Sequence, residues 1–171
     1  RLIKGLIQIS NLQDNDIVLD FFAGSGTTAQ SVYELNKEDN KNRKFILVQL
    51  PEETEESSEA YKAGYKTIAD ICKERIRRVI NKINNEKETK PELFDGKEMD
   101  LGFKVFKLKN SNFKLWRGDV IENGEDLANQ IDIFEKPVKE GSGEENILYE
   151  LILKSGYQLT TKITKKDGLY S

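Results

Sequence analysis

The chain has 171 residues, 37% hydrophobic and 33% charged, with a formal net charge of −3. That is enough for one ordinary core, or a core with a small appendage, and it excludes a protein that coats nucleic acid by bulk charge. Histidine is absent and Cys72 is the single cysteine, which excludes Ser/His and Cys/His catalytic pairs and a Cys/His zinc site, and suits a reducing cytoplasm.

No apolar run approaches bilayer length and no signal peptide is visible. The chain opens without an initiator methionine on a pattern already helical, and it stops just after a strand-like run, so it reads as part of a longer polypeptide. Leu2, Ile3, Leu6, Ile7 and Ile9 recur at helical spacing and predict an amphipathic helix to about Ser10, packed beside the first strand. The rest of the chain is organised around the next stretch, Asp16 to Ala29, DIVLDFFAGSGTTA. Ile17 to Leu19 predicts a parallel strand buried on both faces. Gly24 and Gly26 allow positive φ and bring a ligand close to the backbone, and Thr27 and Thr28 are candidate caps for the next helix. Ala29, Val32, Tyr33 and Leu35 give that helix its apolar face, and Asn36 to Lys44 reads as a polar loop. FILVQL, Phe45 to Leu50, predicts a second buried strand stopped by Pro51, completing a β-α-β unit.

Glu52 to Ser58 is acidic and loop-like. Thr67 with Asp70 resembles a capping box and opens the strongest helix, whose apolar stripe includes Ile68, Ile71, Cys72, Ile76, Val79, Ile80 and Ile83. Cys72 is most simply a core residue. The other side carries Lys73, Arg75, Arg77, Arg78 and Lys82, either a solvated face or a phosphate-contacting surface. A polar shift from Asn84 to Asp95 divides the chain into segments 1–90 and 91–171. Beyond it, Phe103 to Leu108 and Phe113 to Trp116 suggest a hairpin with Trp116 packed inside it. A helix around Leu127, Ile131 and Phe134 comes next, then a flexible joint at Gly141 to Gly143. A last helix around Ile147 to Ile152 ends at Gly156, and Tyr157 to Ile163 alternate as a final strand.

GSGTTA satisfies the loose dinucleotide pattern, which alone is weak. A phosphate-binding P-loop would need a lysine where Thr27 and Thr28 stand. A nicotinamide or flavin site would want an acid where Gln49 stands. S-adenosylmethionine suits the loop better, because Asp20 offers a carboxylate to its ammonium and Phe21 and Phe22 offer apolar walls.

LDFFAGSGTTAQSV closely resembles the cofactor motif of amino-group DNA methyltransferases. Together with NRKFILVQLPE, TIADICKERIRR, GFKVFKLKNSNFKLW and ENILYELILKSGYQLTTKI, it is similar to the Mod subunit of type III restriction-modification systems, which methylates adenine. The resemblance implies an α/β chain: a partial Rossmann-like S-adenosylmethionine-dependent methyltransferase fold, its β-α-β cofactor half in 1–90, and a smaller α+β segment in 91–171. It implies that Asp20, Phe21, Phe22, Ala23, Gly24, Ser25, Gly26 and Thr27 contact the methionine moiety, and that Gln49, with Glu52 or Glu53 as alternatives, meets the ribose or adenine. It implies DNA as the partner of the full-length enzyme, a homodimer, and a restriction (Res) subunit. The family's catalytic motif, (D/N/S)-P-P-(Y/F), is absent, since Pro51, Pro91 and Pro137 are the only prolines and no two are adjacent. The chain is therefore expected to bind cofactor without transferring a methyl by itself. Two alternatives stay open: an assembly module for Mod dimerisation or Res binding, with Trp116 and Tyr157 exposed, and a nucleotide-cofactor domain of the NAD type.

Overall fold

The structure, a computed structural model, describes residues 2–94 and 99–170. It divides into two units, Arg1–Gly102 and Phe103–Ser171. The division falls later than the composition shift suggests. The 3-10 turn Pro91–Phe94 returns to the first unit, burying Phe94, and the Tyr33 hydroxyl donates to the carbonyls of Leu101 and Gly102 at 3.2 and 3.3 Å.

In the first unit, α1 (Leu2–Ile9) leads to β1 (Ile17–Asp20), α2 (Thr27–Asp39) and β2 (Lys44–Leu47). β1 and β2 pair in parallel, Ile17 opposite Lys44 through Asp20 opposite Leu47, with α2 as the crossover. The core forms where Ile7 of α1 meets Val32 and Leu35 of α2, with Ile3, Leu12, Val18 and Phe45 packed around them. α1 therefore rests mainly against α2 rather than beside the strand. Burying this cluster contributes apolar stabilisation to the unit, as do the buried Cys72, Ile76 and Ile83 of the later helix.

Both strands are buried on one face only, which corrects the expectation of two-sided burial. Val18 and Phe45 turn toward the helices, while Ile17, Leu19 and Ile46 are each more than half exposed. Successive strand residues point to opposite faces, and within this unit the helix layer covers one of them.

The segment expected as a loop at Asn36 to Lys44 is instead the end of α2 and an anchored turn. Asn36 is 2% exposed; its amide donates to Arg43 O at 2.8 Å and its oxygen accepts from Arg43 N–H at 3.1 Å. Arg43, also buried, pairs with Asp39. Polar groups replace the missing apolar anchor, and each is satisfied.

After a short α3 (Glu59–Lys62), α4 (Ile68–Thr89) opens on a complete capping box. Thr67 Oγ1 accepts from Asp70 N–H at 3.2 Å, and Asp70 Oδ2 accepts from Thr67 N–H at 3.1 Å. Lys73 and Thr67 hold the Asp70 carboxyl below its usual range. Cys72, Ile76 and Ile83 are the buried stripe.

The second unit holds a 3-10 turn (Gly118–Val120), α5 (Gly124–Glu135), α6 (Glu144–Lys154) and a small hairpin of β3 (Lys165–Lys166) and β4 (Leu169–Tyr170). The two helices stand where the periodicity puts them. The hairpin expected at 103–116 does not form. Phe113 pairs with Val138 instead, through Lys114 N–H to Pro137 O and Lys139 N–H to Asn112 O, both 2.8 Å. Tyr157 to Ile163 is not a strand either. The real hairpin lies beyond it, turning on Asp167 and Gly168 with φ of 52° and 81°, the positive pair that an Asp-Gly turn favours. Glu150 of α6 organises this unit. It accepts from the Ser111 hydroxyl, from Asn112 N–H at 2.6 Å and from Asn112 Nδ2 at 2.8 Å, and pairs with Lys154 at 2.7 Å.

Candidate functional site

The glycine loop sits where β1 ends and α2 begins, beside the extension of β2. The ladder continues past the strands: Val48 N–H donates to Asp20 O at 2.8 Å and Ala23 N–H to Val48 O at 3.1 Å. Gly24 and Gly26 both take left-handed conformations, φ 53° and 81°, which L side chains resist. Gly26 N–H returns to Ala23 O at 2.9 Å, so the loop closes as a tight turn before α2.

Asp20 ties that turn down from both sides. Its Oδ1 accepts from Phe22 N–H at 3.0 Å and its Oδ2 from the Thr28 hydroxyl at 2.5 Å. Neither Thr27 nor Thr28 caps α2, contrary to expectation: Gly26 is the N-cap residue and no side chain caps it. Thr28 is buried and spends its hydroxyl on Asp20 instead, while Thr27 is exposed at the first position of α2. Each carboxylate oxygen accepts more than one hydrogen bond, so Asp20 keeps acceptor capacity toward a cationic group.

Phe21 and Phe22, 63% and 79% exposed, stand with ring centroids 5.3 Å apart and tilted. Ala23 is buried and Ser25 half-buried. Gln49, half-buried, reaches across so that its Oε1 accepts from Gly24 N–H at 2.7 Å. Glu52 and Glu53 are exposed, and their backbones serve the approach to α4: Glu53 bridges to Thr67, and Glu52 O accepts from Ile68 N–H at 2.9 Å. Loop residues 20–27 and Gln49 are thus brought to one place.

The two glycines do different work. A Cβ on Gly24 would meet nothing nearer than Phe22 O at 3.9 Å, so its surface is open for a ligand to approach. A Cβ on Gly26 would lie 2.9 Å from Cys72 Sγ and 3.2 Å from Cys72 O, so Gly26 is where α4 packs onto the loop. Burial, then the nearby Asp20 charge, raise the Cys72 thiol above its usual range, which suits a packing role. Neither the Thr28 link to Asp20 nor the Cys72 seat behind Gly26 is legible in the sequence. The first is one of several uses a threonine hydroxyl can have, and the second joins positions far apart in the chain.

The basic side of α4 is largely paired within the helix: Lys73 with Asp70 at 2.8 Å, Arg78 with Glu74 at 2.8 Å, and Lys82 with Glu86 at 4.0 Å. Arg75 Nη1 donates to Gln30 Oε1 of α2 at 3.1 Å, joining the two helices. A carboxylate and open loop backbone side by side fit an amino-acid tail carrying both an ammonium and a carboxylate, which is the methionine end of S-adenosylmethionine.

Residues 1–77, from α1 into α4, match the sequence model of the DNA methylase family of N6 and N4 methyltransferases. Among curated proteins, the Mod subunit of the type III restriction-modification enzyme StyLTI from Salmonella typhimurium is 34% identical over 97% of this chain and 28% of its own length. The Mod subunit of the type III enzyme EcoP15I from Escherichia coli is 42% identical over 63% of this chain and 14% of its own length. The type II methyltransferase M.KpnI from Klebsiella pneumoniae is 39% identical over 45% of this chain and 18% of its own length. Residues 1–77 carry a DNA methylase sequence. More narrowly, the chain's sequence is similar to those of type III Mod subunits, in line with the motif resemblance, and it spans less than a third of the length of these relatives.

Proposed function

We propose that this chain is the S-adenosylmethionine-binding portion of a site-specific adenine-N6 DNA methyltransferase of a type III restriction-modification system, working in the cytoplasm. The observation that carries the reading is the left-handed turn at Gly24 and Gly26, closed onto Asp20 between a parallel strand and a helix N-terminus. The parallel β-α-β unit supports a partial Rossmann-like arrangement.

In this reading Asp20 receives the ammonium, and Ala23, Gly24, Ser25, Gly26 and Thr27 line the methionine moiety, the N–H groups of Ala23, Gly24 and Gly26 being held by Val48 O, Gln49 Oε1 and Ala23 O. Phe21 and Phe22 flank the ligand, and Gln49 stands toward its adenosyl end. The bound cofactor supplies the methyl group. This chain's residues bind and orient it, and fixed orientation is a large part of such catalysis. Without an adjacent-proline catalytic motif, the chain alone transfers no methyl. DNA is met by the full-length enzyme, which works as a homodimer and with a Res subunit.

Titration calorimetry tests this directly. S-adenosylhomocysteine should bind the wild-type chain and NAD should not. Asp20→Ala should weaken S-adenosylhomocysteine by about 10- to 100-fold, the worth of one charge-assisted hydrogen bond. Preference for NAD, or unchanged affinity in Asp20→Ala, overturns the reading.

A further inference from the structure

Gln49 lies just past β2, where the ladder between the two strands gives way to loop. Its Oε1 accepts from Gly24 N–H at 2.7 Å, and its Nε2 donates to Leu50 O at 3.1 Å. The amide orientation is fixed by chemistry, because the opposite one would set an NH2 group against an N–H and leave both without an acceptor. The carbonyl oxygen, the group a pair of sugar hydroxyls would seek, already accepts from the loop and keeps one lone pair, too few for both hydroxyls.

We propose that Gln49 is a positioning residue. It straps the glycine loop to the end of β2 through Gly24, and it supports an adenosyl ligand by holding the loop in shape rather than by accepting from the ribose. The proposal rests on the cofactor reading only for its second half; the strap itself is a property of the ligand-free chain. Gly24 is the glycine with open space over its Cβ position, so a side chain that fixes its amide fixes the surface a ligand meets. A carboxylate at position 49 would accept the same N–H with one oxygen but could not keep the bond that Nε2 donates to Leu50 O.

Amide exchange by NMR on the ligand-free chain tests the strap. In Gln49→Ala and Gln49→Leu the Gly24 amide should exchange at least about tenfold faster than in wild type. The Ala23 amide, bonded to Val48 O, should hold its rate and report that the fold is intact. Gln49→Glu should restore slow exchange at Gly24. An unchanged Gly24 rate in Gln49→Ala overturns the strap.

Calorimetry then separates strap from sugar contact. Gln49→Ala should lose affinity equally, about tenfold, for S-adenosylhomocysteine and for its 2′,3′-dideoxy analogue. A loss confined to the ligand with both hydroxyls would make Gln49 a direct ribose contact and overturn the proposal. If wild type binds neither ligand, the cofactor reading fails, and the Gly24 exchange rates still decide the strap.

Discussion

Gly26 turns with φ 81° and has the Cys72 sulfur and carbonyl where a Cβ would go. Alanine there adds left-handed strain and a clash with buried backbone, so Gly26→Ala should cost about 1–3 kcal/mol, read as a lower midpoint in urea unfolding. Gly24→Ala carries only the conformational strain, because nothing crowds it, and should cost about 1 kcal/mol. A methyl on Gly24 would nonetheless stand on the open side of the turn. That variant should therefore lose ligand affinity out of proportion to its stability, while Gly26→Ala should lose mainly stability. A glycine pair read from sequence looks symmetrical; the neighbours make it asymmetrical.

At the scale of elements, α4 owes its start to the reciprocal Thr67 and Asp70 bonds. Thr67→Ala should lower stability by about 1 kcal/mol in denaturant titration. Because Asp70 titrates below its ordinary range when folded, its contribution is present at neutral pH and above, and it fades as acid is added below that ordinary range. The capping box was legible because both halves are local and three residues apart. The helices α1, α4, α5 and α6 were legible because apolar residues repeat with a helical period, and a period survives without knowledge of the neighbours. The strands' one-sided burial was not. An apolar run such as FILVQL states that both faces can be covered, while the layer over each face is a fact of tertiary packing. The aromatic segments from Phe103 to Trp116 misled for a related reason. Aromatic alternation marks half-buried positions, and here Phe106 packs on Tyr149 and Trp116 on Phe134 of the helices rather than across a hairpin, each pair with ring centroids 5.3 Å apart. At the site the glycine turn was legible as a contiguous string, whereas the bonds and packing that hold it, from Thr28, Gln49 and Cys72, come from three separate elements or their edges.

At the scale of the molecule, each unit has its own acid sensitivity. Lys154 and Ser111 hold the Glu150 carboxyl down at about 2, against an ordinary 4.5. The stabilisation from Glu150 is therefore complete above about pH 4.5 and is lost as pH falls toward about 2. The single tryptophan, Trp116, lies in this unit. Its fluorescence should change through that window in wild type, and much less within it in Glu150→Gln, which lacks the titrating group. In the first unit, the exposed side chains of Ile17, Leu19 and Ile46 on one sheet face predict self-association of the isolated chain. Ile17→Lys with Ile46→Lys should shift light scattering toward monomer while leaving the glycine turn intact.

Because the chain owns one sulfhydryl and it sits behind the glycine turn, that sulfur is a built-in clock. Cys72 is buried, so the half-time of its labelling by a small disulfide reagent reads out how often this joint opens, with no residue introduced. Any occupant that steadies the turn should lengthen the half-time by a factor of one plus its concentration over its dissociation constant.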